Sequence, residues 1–181
     1  MSGTQITSEI DLSARGKQAG YRRVPHCGHR SAYGWSSVPV ATIRSGDGLI
    51  VVMLSGVYDD GYAAQIALSR LARDMSPEPI RGHILLLAMT NLPATQAGLR
   101  VSLLDDGNLN RLFPGDASGT PTYMTANCLE NTLLPMADYM IVLHPGGRSL
   151  FYPATLLGAV VGMAAIPRVK MPIRAAFWRP S

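Results

Sequence analysis

The stretch Leu49–Met75, LIVVMLSGVYDDGYAAQIALSRLARDM, decides the fold class. Leu49 to Leu54 is an unbroken apolar run of strand length. A strand buried on both faces of a parallel sheet reads this way, continuous rather than alternating. From Ala63 to Met75 the apolar residues recur at helical spacing, and Pro77 and Pro79 stop the helix. Between strand and helix lies SGVYDD, Ser55 to Asp60. In α/β proteins the turn after a parallel strand is where ligands bind. Tyr58, Asp59 and Asp60 therefore read either as site residues or as helix-start carboxylates that favour the positive end of the helix dipole.

The same pattern repeats downstream. His83 to Met89, HILLLAM, is a second buried strand, and Tyr139 to Leu143, YMIVL, a third. A helix is expected over Thr122–Leu134, with a Gly- and Asn-rich loop from Asn91 to Gly119 before it. Strand, helix, strand, loop, helix, strand forms a βαβ series, so the sheet is expected to be mostly parallel with helices packed on it. The first 45 residues carry shorter alternating pieces, Ile6–Leu12 and Val38–Ile43. Turns are expected at Arg15-Gly16 and over Ser45–Gly48. They read as an N-terminal β segment.

Composition bounds the function classes. The chain has 181 residues, 47% hydrophobic and 15% charged, which is a folded composition. The net charge of +4 is modest, and the Lys and Arg form no dense run, so nucleic acid is not an expected partner. The longest apolar run, Thr155–Ile166, is too short to span a bilayer, and the N-terminus has no apolar signal-type core. Cys27 and Cys128 have no CxxC neighbour and read as free thiols of a reducing compartment. The expectation is a cytoplasmic protein without membrane contact.

Three features converge on the edge where the parallel strands end. Tyr58-Asp59-Asp60 follow the first strand. His144 closes the third, where a neutral imidazole can bind a metal or take a proton; a histidine bonded to a nearby carbonyl is the plainer alternative. The loop DDGNLNRLFPGD, Asp105 to Asp116, offers the planar fork of Arg111 for a carboxylate and the amides of Asn108 and Asn110. Long ordered loops at such an edge are usually functional. HCGH, His26 to His29, lacks a fourth ligand for a closed zinc site. No GxSxG elbow, Walker loop or GxGxxG is present, which disfavours serine hydrolases and nucleotide enzymes.

The motifs VPVATIRSGDG, NLPATQAG, LDDGNLNRLFPGD and LHPGGRSL stand in an order that resembles the succinylglutamate desuccinylase/aspartoacylase family, nearest its ectoine-degradation branch. The resemblance implies a zinc-carboxypeptidase-like α/β fold and zinc-dependent removal of an acyl group from an N-acyl amino acid. It places a zinc-binding His at His144. It places substrate-binding residues at Asn108, Asn110, Arg111 and Arg148. The remaining zinc ligands, in a motif H-G-D-E, fall on Tyr58 to Gly61. Tyr58 stands for the His and Gly61 for the Glu, and only Asp60 agrees. Val142 replaces the usual Asp before the second His, and Gly107 a family Arg. The base Glu belongs to a portion beyond Ser181.

The resulting expectation is an N-terminal β segment over 1–45 and a zinc-carboxypeptidase-like α/β domain over 46–181 that lacks its C-terminal portion. Zinc is the cofactor of the family, but one imidazole does not make a catalytic zinc site. Catalysis is expected to be impaired in the lone chain. One alternative is a pseudoenzyme or partner subunit that binds a small carboxylate or a protein, as a homo-oligomer or with a second chain. Another is a remodelled enzyme using Tyr58, Asp60 and His144.

Overall fold

A computed structural model describes residues 4–28, 34–57 and 61–144. Tyr58, Asp59, Asp60, Arg148 and the apolar run Thr155–Ile166 lie outside the described residues. Among those described, one six-stranded sheet carries the fold. Its strands are β1 (Thr7–Ser8), β2 (Gly16–Pro25), β3 (Trp35–Ser45), β4 (Ile50–Leu54), β5 (Gly82–Leu87) and β6 (Tyr139–Val142). The order is β1-β2-β3-β5-β4-β6.

The α/β architecture is present, and its parallel part is β5-β4-β6. The N-terminal strands extend the same sheet in the antiparallel sense. β2 pairs with β3 from Gly16↔Arg44 to Pro25↔Trp35, and β3 pairs with β5 from Ala41↔Leu86 to Ser45↔Gly82. β2 is not evident from hydropathy because Lys17, Gln18, Arg22 and Arg23 interrupt it. Along the strand half-buried or buried residues alternate with exposed ones as far as Arg22, the pattern of a sheet wet on one face. Conversely, Ile6–Leu12 yields only the two residues of β1.

Side-chain alternation along the strands builds two cores. Val38, Val40, Val52, Leu54, Leu85 and Leu87 point to one face. Ala41, Ile43, Leu86 and Ala88 point to the other. Helix α1 (Tyr62–Asp74) covers the second face with Leu68, which is 1% exposed. Helix α3 (Pro121–Cys128) covers the first with Met124 and Ala126. The expected single helix over Thr122–Leu134 instead changes pitch. It runs as α-helix to Cys128, as π-helix over Leu129–Leu133 and as a 3-10 turn over Leu134–Met136. The wider π turn still buries Leu129 and Leu133 in the core.

A short helix α2 (Leu92–Ala97) also interrupts the stretch read as loop. Its signals are present in the sequence: Pro93 in the first turn and Gly98 just past the end, left-handed at φ 64°. No helix among the described residues is long and apolar enough to cross a membrane.

Candidate functional site

The register of the parallel strands assembles one edge. Leu54 is opposite Leu87 on one side and Val142 on the other, so β4, β5 and β6 end together. The pairing continues one step, with the Leu143 N–H donating to the Leu54 carbonyl at 2.9 Å. His144 follows directly. The turn after β4 is knitted to the turn after β5. The Ser55 hydroxyl donates to the Ala88 carbonyl at 2.6 Å, and the Thr90 N–H and hydroxyl both donate to the Ser55 carbonyl, at 3.0 and 2.8 Å. The Asn91 N–H donates to the Gly56 carbonyl at 2.8 Å.

Gly56 is obligatory here. Its φ is 62°, and a Cβ would meet the Thr95 Oγ1 at 2.9 Å and the Met89 Cα at 3.0 Å. Beyond the buried Val57 the chain re-enters the described residues at Gly61, the N-cap of α1, in an extended conformation with no side-chain cap. A glycine at this point brings no donor atom to the edge.

His144 is exposed. The protein around the ring still strips enough water from it to hold the imidazole below its ordinary value. Its neutral form is therefore favoured at neutral pH, the form that ligates a metal or accepts a proton.

The loop carrying Asn108, Asn110 and Arg111 is tightly tied. Asp105 holds it from one side. Its Oδ2 accepts the Thr122 N–H at 2.7 Å, and its Oδ1 accepts the Thr122 hydroxyl at 2.7 Å and the Gly107 N–H at 3.2 Å. Burial alone would push this carboxyl up. Hydrogen bonds from Thr120, Thr122 and Gly107 together outweigh it and hold Asp105 below the usual carboxylate value. Asp106 next to it is left-handed at φ 53°, a conformation Asp tolerates better than most residues.

A 3-10 turn, Leu109–Arg111, follows. The Asn108 Oδ1 caps it, accepting the Asn110 N–H at 3.1 Å, and the Asn108 carbonyl accepts the Arg111 N–H at 2.8 Å. Leu109 is fully buried and belongs to the core cluster that also holds Met124 and Ala126 of α3. Arg111 is exposed. Its Nη1 donates to the Asn110 carbonyl at 3.2 Å, and it makes no ion pair among the described residues. Phe113–Pro114 is a cis peptide, and the Gly115 N–H closes back on the Leu112 carbonyl at 2.7 Å.

Sequence reasoning thus finds Asn108, Asn110 and Arg111 on an ordered turn and His144 directly after β6. It misses Ser55 and Gly56, which knit the turns after β4 and β5, and Asp105 and Thr122, which tie the loop to α3. Asn108 spends its side-chain oxygen on the turn, while Asn110 is half-buried and Arg111 is exposed. Among the described residues the donor set does not make a zinc centre. Among the described residues no group of three or more His, Cys, Asp or Glu lies close enough to share a metal, and Gly61 has no side chain to offer.

Comparison with known proteins gives one consistent answer. The succinylglutamate desuccinylase/aspartoacylase catalytic domain matches residues 47–160. The N-alpha-acetyl-L-2,4-diaminobutyric acid deacetylase of Halomonas elongata is 37% identical over 145 residues, covering 80% of this chain and 42% of that protein. The succinylglutamate desuccinylase/aspartoacylase structure from Rhodobacter sphaeroides is 39% identical with a TM-score of 0.77, covering 80% of this chain and 45% of that one. The product-bound ectoine utilization protein EutE (DoeB) of Ruegeria pomeroyi is 36% identical with a TM-score of 0.79, covering 81% and 45%. The chain thus spans less than half the length of the relatives it matches. With the motif order, the sheet and the residues matched all in agreement, the chain belongs to the succinylglutamate desuccinylase/aspartoacylase family.

Proposed function

We propose that this chain binds the carboxylate of an N-acyl amino acid through Asn110 and Arg111, and that as a lone chain it does not hydrolyse the acyl amide. The observation that carries the reading is Arg111, an exposed guanidinium with no ion pair among the described residues, on a turn whose Leu109 is locked in the core. A guanidinium presents paired N–H donors in a plane, which matches a carboxylate in two parallel bonds. Asn110 adds an amide that can donate to the acyl oxygen or accept from the amide N–H. The Halomonas relative is named for an N-acetylated amino acid, which makes that compound class the first to test.

The second half of the proposal rests on donor chemistry. Gly61 has no ligand atom, and Val142 precedes His144 where the family resemblance expects a carboxylate. His144 alone holds zinc too weakly to polarise an amide. We further propose that the active assembly includes a second chain, either another copy or a different partner.

Three measurements on the purified chain decide this. Calorimetry with Nα-acetyl-L-2,4-diaminobutyrate is expected to show binding. Elemental analysis is expected to show substoichiometric zinc, and acetate release is expected to be absent. Stoichiometric zinc with turnover would sink the inactive reading. A single monomeric peak in size-exclusion chromatography at high concentration would count against the second chain.

A further inference from the structure

The turn that presents Arg111 is preceded by a carboxylate, Asp105, that bonds to the start of helix α3. Helix α3 opens with Thr120 as N-cap, yet the Thr120 side chain makes no cap bond, and Pro121 has no N–H to cap. The first free donor of the helix is therefore the Thr122 N–H. It is taken by Asp105, from 17 residues earlier in the chain, at 2.7 Å. The same carboxylate takes the Thr122 hydroxyl and the Gly107 N–H.

Gly107 lies so close that a Cβ on it would stand 2.6 Å from the Thr122 Cβ and 2.8 Å from its Oγ1. One residue later Asn108 begins the 3-10 turn. We propose that Asp105 is the positioning residue of the carboxylate-binding turn, bonding it to the first turn of α3 and so fixing where Arg111 presents its guanidinium.

Two anchors then define the turn. Leu109 ties it to the core, and Asp105 ties it to α3, itself held in that core by Met124 and Ala126. Asp105 does not compete with substrate for Arg111. Both its oxygens are occupied, the two residues make no ion pair, and its charge is balanced by the donors at the helix start. A carboxylate that accepts this many bonds is rigid, and rigid support is what a binding group on a loop needs to keep its aim.

This inference rests on the reading of Asn110 and Arg111 as substrate-binding, and the test separates the two. The full chain is compared with Asp105→Asn, Thr122→Val and Arg111→Met. Amide hydrogen exchange is read without ligand at Asn110 and Arg111, whose N–H groups bond Asn108. Affinity for Nα-acetyl-L-2,4-diaminobutyrate is read by calorimetry.

Asp105→Asn is expected to speed exchange at Asn110 and Arg111 at least tenfold while β4 and β5 keep their rates. It is expected to weaken binding at least tenfold. Thr122→Val keeps the backbone bond and gives smaller changes in the same direction. Arg111→Met weakens binding by roughly 10- to 100-fold with exchange unchanged. Wild-type exchange at Asn110 and Arg111 in Asp105→Asn, acceleration spread equally over β4 and β5, or unchanged affinity overturns the proposal. If the wild type does not bind the probe, the substrate reading falls, and the exchange pattern by itself decides whether Asp105 sets the turn.

Discussion

The Thr42 Oγ1 and the His83 Nε2 lie 2.7 Å apart inside the sheet, on neighbouring strands β3 and β5. Thr42 is fully buried and His83 is 3% exposed. The Thr42 hydroxyl also donates to the Leu12 carbonyl at 3.3 Å. A hydroxyl that gives its proton to a carbonyl must accept from the ring, so the arrangement selects the Nε2–H tautomer. Burial, and then the nearby Arg44 charge, push this imidazole below its ordinary value.

Acid should therefore destabilise the fold through His83. The folded pKa is depressed, so the unfolded chain binds the proton first as pH falls. Stability is full above the unfolded value of about 6.5 and declines as pH falls from there through the folded value. Urea midpoints should be level from pH 8 to 7 and fall toward pH 5. His83→Gln, which can still donate to Thr42, should show a shallower fall. Equal slopes for both proteins would refute the assignment.

Gly56→Ala should cost about 1–3 kcal/mol, because the left-handed backbone and the crowding by Thr95 and Met89 act together. Chemical denaturation measures it. The same variant should loosen the Asn91–Gly56 bond, and faster exchange at the Asn91 amide would report that directly.

Leu109→Ala should cost about 2–5 kcal/mol, the usual range for emptying a fully buried leucine site. Arg111→Met, two residues away but exposed, should change stability by no more than about 0.5 kcal/mol. It should weaken binding of an N-acetyl amino acid by roughly 10- to 100-fold, the worth of a charge-assisted bond. Denaturation and calorimetry on the pair separate anchoring from recognition. Similar stability losses in both variants would contradict the geometry.

Tyr58→His combined with Gly61→Glu should raise zinc content. Gly61 has an ordinary negative φ of −98°, so a side chain is sterically acceptable to the backbone there, and a carboxylate at a helix start is electrostatically favoured. Elemental analysis after dialysis should show more zinc in the double variant than in the wild type. No gain would argue against Tyr58 and Gly61 standing at ligand positions.

The parallel strands were legible because burial on both faces leaves a continuous apolar run, as in Leu49–Leu54 and His83–Met89. β2 was not, because half of its residues face water and its charges mask the alternation. The π-helical turn over Leu129–Leu133 left no mark, since a change of pitch is decided by packing rather than by propensity. At the site, Arg111 and His144 stood out as chemistry at the ends of recognisable elements. Asp105 did not, because a capping carboxylate is legible only when it lies next to the helix it caps, and Thr122 lies 17 residues on.

The clamp at the start of β4 and β6 bears on how the molecule folds. The Ile50 N–H donates to the Asp138 Oδ2 at 2.8 Å, and the Asp138 N–H returns to the Ile50 carbonyl at 2.8 Å, across 88 residues of chain. The β2–β3 hairpin needs only a short closure, whereas β6 must close the longest loop of the sheet before its contacts repay the entropy. Because His144 arrives with β6, the ligand edge is completed in the slowest pairing. A variant that weakens the Asp138 clamp should delay assembly of the site more than formation of the hairpin.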